Sequence, residues 1–150
     1  MDDITLRTCE FRDIDRVAAI EKIVFPERPY SEVDFAWFLL SATEGFLVAC
    51  EGEHVVGYVI AVGEGGRGVI QSIGVLPEFR RKRIGESLMI AALNHLAKKY
   101  AEARLLVDEN NADAISLYHK LRFVETGNRI RRYYPNGDDA VEMVRGLEPR

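Results

Sequence analysis

The stretch "SIGVLPEFRRKRIGESLMIAAL", residues 72–93, places four consecutive cations, Arg80 to Arg83, between two segments of different period. Upstream, "VIQSIGVL" (residues 69–76) reads as a buried strand that stops at Pro77, which has no N–H with which to continue a ladder. Downstream, Leu88, Ala92 and Leu96, with Met89, Leu93 and Tyr100, recur at helical spacing and predict an amphipathic helix to about Lys99. The cations therefore fall in a strand-to-helix turn, with Gly85 in the first turn of the helix. A helix start presents unpaired N–H groups and a partial positive charge that suit a phosphate, and Lys and Arg side chains add charge-assisted bonds. The competing reading is a solvated charge run; the position in front of a glycine-bearing helix start favours the phosphate.

The totals confine what such a turn can serve. The 150 residues suffice for one compact domain, expected to span residues 1–150, and 47% hydrophobic with 29% charged residues is an ordinary globular composition. A net charge of -4 excludes a general polyanion binder, so no nucleic-acid partner is expected. Cys9 and Cys50 are the two cysteines and form no CxxC pair, which fits a reducing, cytoplasmic location. His54, His95 and His119 have no ligand spacing, so no metal is expected. No apolar run approaches the roughly 18–20 residues that span a bilayer, and the first residues, "MDDITLRTCE", lack a leader pattern, so no membrane association is expected.

Outward from the turn, periodicity gives a short strand "ITLRT" and a helix with Ile14, Val17, Ile20 and Val24 behind the candidate cap Asp13. A proline-bearing loop, residues 25–30, follows; Ser31 with Asp34 makes a capping box that starts the second helix. "GFLVACE" and "HVVGYVIAVG" form a hairpin about Gly52-Glu53, and "EGGRG" reads as a mobile loop. "RLLV" is a fifth strand, "NADAISLYHKL" a helix capped by Asn110 or Asn111, and "FVETGNRIRRYY" and "DDAVEMV" a pair of strands about Pro135-Asn136-Gly137. The order βααβββαβαββ predicts an α/β domain, a mixed and mostly antiparallel sheet with helices on both faces.

The basic segment resembles the cofactor motif of the GNAT superfamily of acetyl-CoA-dependent N-acetyltransferases, R/Q-x-x-G-x-G/A, matched at Arg80 and Gly85 with Arg83 in the middle glycine position. "NNADAISLYHKLRF" is similar to the family's N-x-x-A-x-x-L-Y-x-x-x-G-F, matched at Asn111, Ala114, Leu117, Tyr118 and Phe123, with Arg122 in place of the last glycine. The element order agrees over nearly the whole chain. The resemblance implies acetyl-CoA as cofactor. Its candidate contacts are Ile73, Gly74 and Val75 on the fourth strand, Arg80, Arg81, Lys82, Arg83, Ile84, Gly85, Glu86 and Ser87 at the helix start, and Asn111, Ala114 and Tyr118. Arg83 is expected in helical or bridge dihedrals, because a left-handed arginine costs about 1 kcal/mol.

"FPERPYSEVDF" resembles the helix-to-helix loop of protein N-terminal acetyltransferases, both the archaeal NatA catalytic-subunit type and the ribosomal-protein alanine acetyltransferases. "RRYYPNGDDAVEM" is similar to the tail those groups share. The resemblance implies a protein or peptide N-terminus as substrate partner, with Phe25, Glu27, Tyr30, Tyr133 and Tyr134 as its contacts, and a monomer or weak dimer with an auxiliary subunit allowed. It also implies Glu27 as general base and Tyr118 as general acid, by direct attack of the amine on the thioester. The family's usual strand bases are replaced by Leu106 and Val69, which move no proton. The alternatives are acetylation of a small amine or an internal lysine, and a non-catalytic acyl-CoA-binding module.

Overall fold

The computed structural model describes residues 3–80 and 83–148; Arg81 and Lys82 of the basic cluster lie outside the described residues. The chain runs β1 (Ile4–Thr8), α1 (Ile14–Val24), α2 (Glu32–Ala42), β2 (Phe46–Glu51), β3 (His54–Glu64), β4 (Arg67–Val75), α3 (Ile84–Ala97), β5 (Glu102–Asp108), α4 (Ala112–Lys120), β6 (Val124–Ile130) and β7 (Ala140–Gly146), the order expected from the sequence. The strands form one seven-stranded sheet in the order β1-β2-β3-β4-β5-β7-β6, in which only β4 and β5 pair in parallel. On one face Tyr58 of β3 meets Phe35 of α2, ring edge to ring face at 5.6 Å. On the other, Leu88 of α3 packs over Gly57, where a Cβ would lie 3.4 Å from it. Val17, Ile20, Phe35, Phe46, Leu88 and Met89 are fully buried between these layers, and removal of their apolar surface from water supplies the main cohesion.

Local signals start the helices where the sequence places them. Ser31 Oγ accepts the Asp34 N–H at 3.2 Å while the Asp34 carboxylate accepts the Ser31 N–H at 2.8 Å, the reciprocal capping box. Asn111 Oδ1 accepts the Ala114 N–H at 3.2 Å, which selects Asn111 as the cap of α4. Asp13 stands at the N-cap position of α1, as expected, but its side chain does not cap that helix, because it closes the preceding 3-10 turn at Phe11–Asp13. Its carboxylate accepts the Glu10 N–H at 2.8 Å and both terminal nitrogens of Arg7 at 2.7 and 2.9 Å, which ties α1 to β1 and holds that carboxyl below the usual aspartate range.

Two loops differ from the sequence reading. "EGGRG" is a tight turn: Glu64 pairs with Arg67, and Gly65 and Gly66 take φ of +60° and +79°, the positive values that a two-residue hairpin of the primed type requires. Tyr133 and Tyr134 lie beyond β6, because Arg132 at φ +52° ends the extended chain and sends it into a turn closed by the Tyr134 and Asp138 backbones at 3.2 Å.

Helix α4 ends in a Schellman motif that fixes Tyr118. The Phe123 N–H donates to the Tyr118 carbonyl and the Arg122 N–H to the His119 carbonyl, each at 2.9 Å. Phe123 folds back onto Tyr118 with ring centroids 6.0 Å apart, and Arg122 at φ +71° occupies the left-handed position that glycine usually takes. Arg122→Gly is therefore expected to raise stability by about 1 kcal/mol, or roughly 2–4 °C in Tm, in a thermal melt; a lower Tm would contradict strain at this residue.

Candidate active site

The site forms where β4 parts from β5. Ile60 pairs with Ser72 and Ala61 with Ile70, so Gln71 is the extra residue of a β-bulge. β4 and β5 keep register only at Gly68 with Ala103 and Val69 with Arg104. Farther along, β4 stays with β3 through Val75 while β5 stays with β7 through Asp108. Ile73, Gly74 and Val75 thus lie beyond the β4–β5 ladder, beside a gap where backbone groups are left to seek other partners. Gly74 is required by packing, since a Cβ there would approach the Tyr58 ring to 2.8 Å.

At the end of β4 the chain turns through Pro77–Phe79 and enters α3. Arg83 takes φ 60° and ψ 20°, a left-handed conformation rather than the expected helical or bridge dihedrals. The turn thus keeps the shape that the family's glycine supplies, and the arginine bears the strain. The Ser87 N–H makes the first-turn bond to the Arg83 carbonyl at 3.0 Å, and no described residue accepts from the amides of Ile84, Gly85 or Glu86. A Cβ on Gly85 would meet only Leu117 and Val75, at 3.9 Å, so protein packing does not demand glycine and the space remains open to a ligand. Arg80 and Arg83 are exposed and their side chains bond no described residue. Glu86 pairs with Lys120 at 3.2 Å, and exposed Ser87 follows it. Amides and cations with no partner among the described residues fit a multiply charged phosphate ligand. Asn111 is spent on the α4 cap, and half-buried Ala114 packs against the core.

Four tyrosines from three parts of the chain, Tyr30, Tyr118 and the adjacent Tyr133 and Tyr134, lie near one another. Tyr134 is half-buried; its hydroxyl is pushed up by burial first, then by the nearby Tyr133, Asp108, Tyr118 and Tyr30. Tyr133 meets Tyr134 edge to face at 5.0 Å. Tyr118 is buried and its hydroxyl is pushed up to about 12 by that burial. No polar side-chain atom among the described residues is sealed without a partner, so the Tyr118 hydroxyl, which bonds none of them, is not fully enclosed. Tyr30 packs edge to face against Phe38 at 5.1 Å, and its hydroxyl accepts the Gln71 amide at 2.9 Å.

The remaining expected residues stand apart. Phe25 is 39% exposed, and exposed Glu27 bonds no described residue. Leu106 is exposed on β5 opposite Glu142, and Val69 is held in the β4 ladders. Sequence reading missed Glu21 and Gln71. Glu21, on α1, is buried; it accepts the Tyr58 hydroxyl and the Tyr30 N–H, the latter at 2.9 Å, and burial pushes its carboxyl up. An acid four residues after Val17 and three before Val24, on the apolar stripe, was its signal.

Residues 9–123 match the Acetyltransferase (GNAT) family, and the chain belongs to that family. It is 34% identical to an N-alpha-acetyltransferase of Saccharolobus solfataricus, over 97% of this chain and 94% of the relative. Ard1 from Thermoplasma volcanium superposes with a TM-score of 0.90 at 27% identity, covering 96% of this chain and 97% of that one. The ribosomal-protein-S18-alanine N-acetyltransferase from Escherichia coli gives 0.85 at 26% identity, covering 99% and 96%. No helix among the described residues is long and apolar enough to cross a membrane.

The two consequences of Arg83 are separable. Arg83→Gly is expected to weaken acetyl-CoA binding by roughly threefold to tenfold at low salt, with the difference shrinking as salt rises, while Tm holds or rises because the strain is relieved. Calorimetric titration at two salt concentrations checks this; unchanged affinity at low salt would show that only the backbone matters.

Proposed function

We propose that the protein transfers the acetyl group of acetyl-CoA to the free α-amino group of a protein or peptide N-terminus. The reading includes a cytoplasmic site of action and a monomer or weak dimer, alone or with an auxiliary subunit. The observation that carries it is that Tyr30 of the α1–α2 loop, bonded to Gln71 at the β4 bulge, lies within electrostatic reach of Tyr133 and Tyr134 of the β6–β7 connection. On this reading these two segments, from opposite ends of the chain, wall the gap and receive an extended chain end. Similarity to the N-alpha-acetyltransferase of Saccharolobus solfataricus supports the same substrate class.

Acetyl-CoA, when bound, supplies the thioester. The amides of Ile84, Gly85 and Glu86, with the side chains of Arg80, Arg83 and Ser87, and with Asn111 and Ala114, are assigned to hold its phosphate-bearing portion, and Arg81 and Lys82 are assigned to it from the sequence alone. Backbone N–H groups of residues 73–75 are assigned to the developing oxyanion. Phe25, Tyr30, Tyr133 and Tyr134 line the peptide side. An α-amine, with a pKa of about 7.7–8.0, is far easier to neutralise than a lysine near 10.4, so a weakly placed base suffices. Glu27 takes that proton through water, as the exposed carboxylate of the loop, while the amine attacks and the carbon–sulfur bond breaks. Tyr118, at about 12 against a thiolate near 8.5, faces an uphill transfer of about 5 kcal/mol, so it donates a hydrogen bond to the departing sulfur and passes its proton late.

Acetylation of a peptide panel, read by mass spectrometry, tests the substrate. Free N-termini are expected to be modified and N-terminally blocked peptides with internal lysines left untouched; equal transfer to the lysines would refute the reading. Tyr118→Phe is expected to lower kcat by roughly 10²-fold with acetyl-CoA binding retained, and full activity would remove its role. Glu27→Gln is expected to lower kcat without raising the acetyl-CoA KM; an unchanged pH–rate profile would eliminate it as base.

A further inference from the structure

We infer that Glu21 is a positioning residue for the substrate loop: with Gln71 it clamps Tyr30 between α1 and the β4 bulge and so sets the width of the peptide groove. The inference rests on the proposed substrate class. Glu21 closes residues 25–30 at both ends, since its carbonyl accepts the Phe25 N–H at 2.7 Å and its carboxylate accepts the Tyr30 N–H at 2.9 Å. Between them, residues 26–29 make no hydrogen bond to a described residue. The second carboxylate oxygen accepts the Tyr58 hydroxyl, which lies 3.4 Å from Ser72 Oγ next to the bulge. The far end of Tyr30 is held by Gln71, which the bulge leaves without a partner in β3. One carboxylate therefore joins α1, the loop and β3, and Gln71 joins the same tyrosine to β4.

A buried carboxylate is expensive unless its oxygens are satisfied, and an apolar residue at position 21 would fit the stripe of α1. An apolar residue there would leave the Tyr30 N–H without an acceptor, the Tyr58 hydroxyl with Ser72 alone, and the loop untied at one end. A glutamine keeps the geometry: its oxygen accepts the Tyr30 N–H, and its amide donates to the Tyr58 oxygen, whose proton turns toward Ser72.

The test compares the parent, Glu21→Gln and Glu21→Leu in steady-state kinetics with a free-N-terminus peptide and in hydrogen exchange of residues 25–30. Glu21→Gln is expected to stay near the parent. Glu21→Leu is expected to raise the peptide KM roughly tenfold, with the acetyl-CoA KM unchanged and exchange at the Tyr30 amide accelerated, the effect of one unsatisfied buried donor. A Glu21→Leu enzyme with the parent's peptide KM and exchange would overturn the inference, as would a Glu21→Gln enzyme as impaired as Glu21→Leu, which would assign the role to charge. Should Glu21→Leu fail to fold, Gln71→Leu opens the other end of the clamp and is expected to raise the peptide KM alone; no change there overturns the inference. If the parent acetylates no peptide, the substrate reading fails, and exchange at the Tyr30 amide still decides the clamp.

Discussion

The parting of β4 from β5 after Val69 is the constraint on which the rest of the site depends. A sheet strand leaves backbone donors and acceptors unsatisfied wherever it loses a neighbour, and a folded chain tolerates this only where something else takes the bonds. Here β4 is kept on β3 and β5 is drawn to β7, so the opening is held from both sides. The bulge at Gln71 then turns one side chain out of the ladder and toward the loop that carries Tyr30. The slot and the bulge that ties the loop to it thus lie side by side on β4.

Charge is placed as locally as shape. The chain carries a net -4, yet Arg83 stands in a glycine position at the mouth of α3, and Arg122 does so after α4. Both keep the left-handed backbone. At α4 the result is the Schellman motif that sets Tyr118 against Phe123. At α3 it leaves helix-start amides free while adding a cation beside them, a use of strain that acts on the ligand rather than on the core.

Much of this was legible in the sequence. Strand and helix periods gave the element order, and the Ser31–Asp34 and Asn111 caps fell where short-range hydrogen-bond chemistry placed them. Motif spacing pointed to Arg80, Gly85 and Tyr118 as candidate site residues. The bulge was hidden because register is a property of two strands, and "VIQSIGVL" alone does not show that Gln71 lacks an opposite residue. The conformation of Arg83 was misread because intrinsic preference argued against φ > 0, while the fold of the turn overrode it. Glu21 was visible as an acid on an apolar stripe, but its partners Tyr30 and Tyr58 come together only in the folded chain.

A crystal structure with coenzyme A joined through an acetyl bridge to a peptide N-terminus is the most direct measurement. The bridge is expected at the β4–β5 gap beside the Tyr118 hydroxyl, the phosphates at the amides of Ile84, Gly85 and Glu86, and the first peptide residues between Tyr30 and Tyr134. A peptide that leaves the gap elsewhere, with Tyr30 and Tyr134 untouched, would contradict a groove built for chain ends.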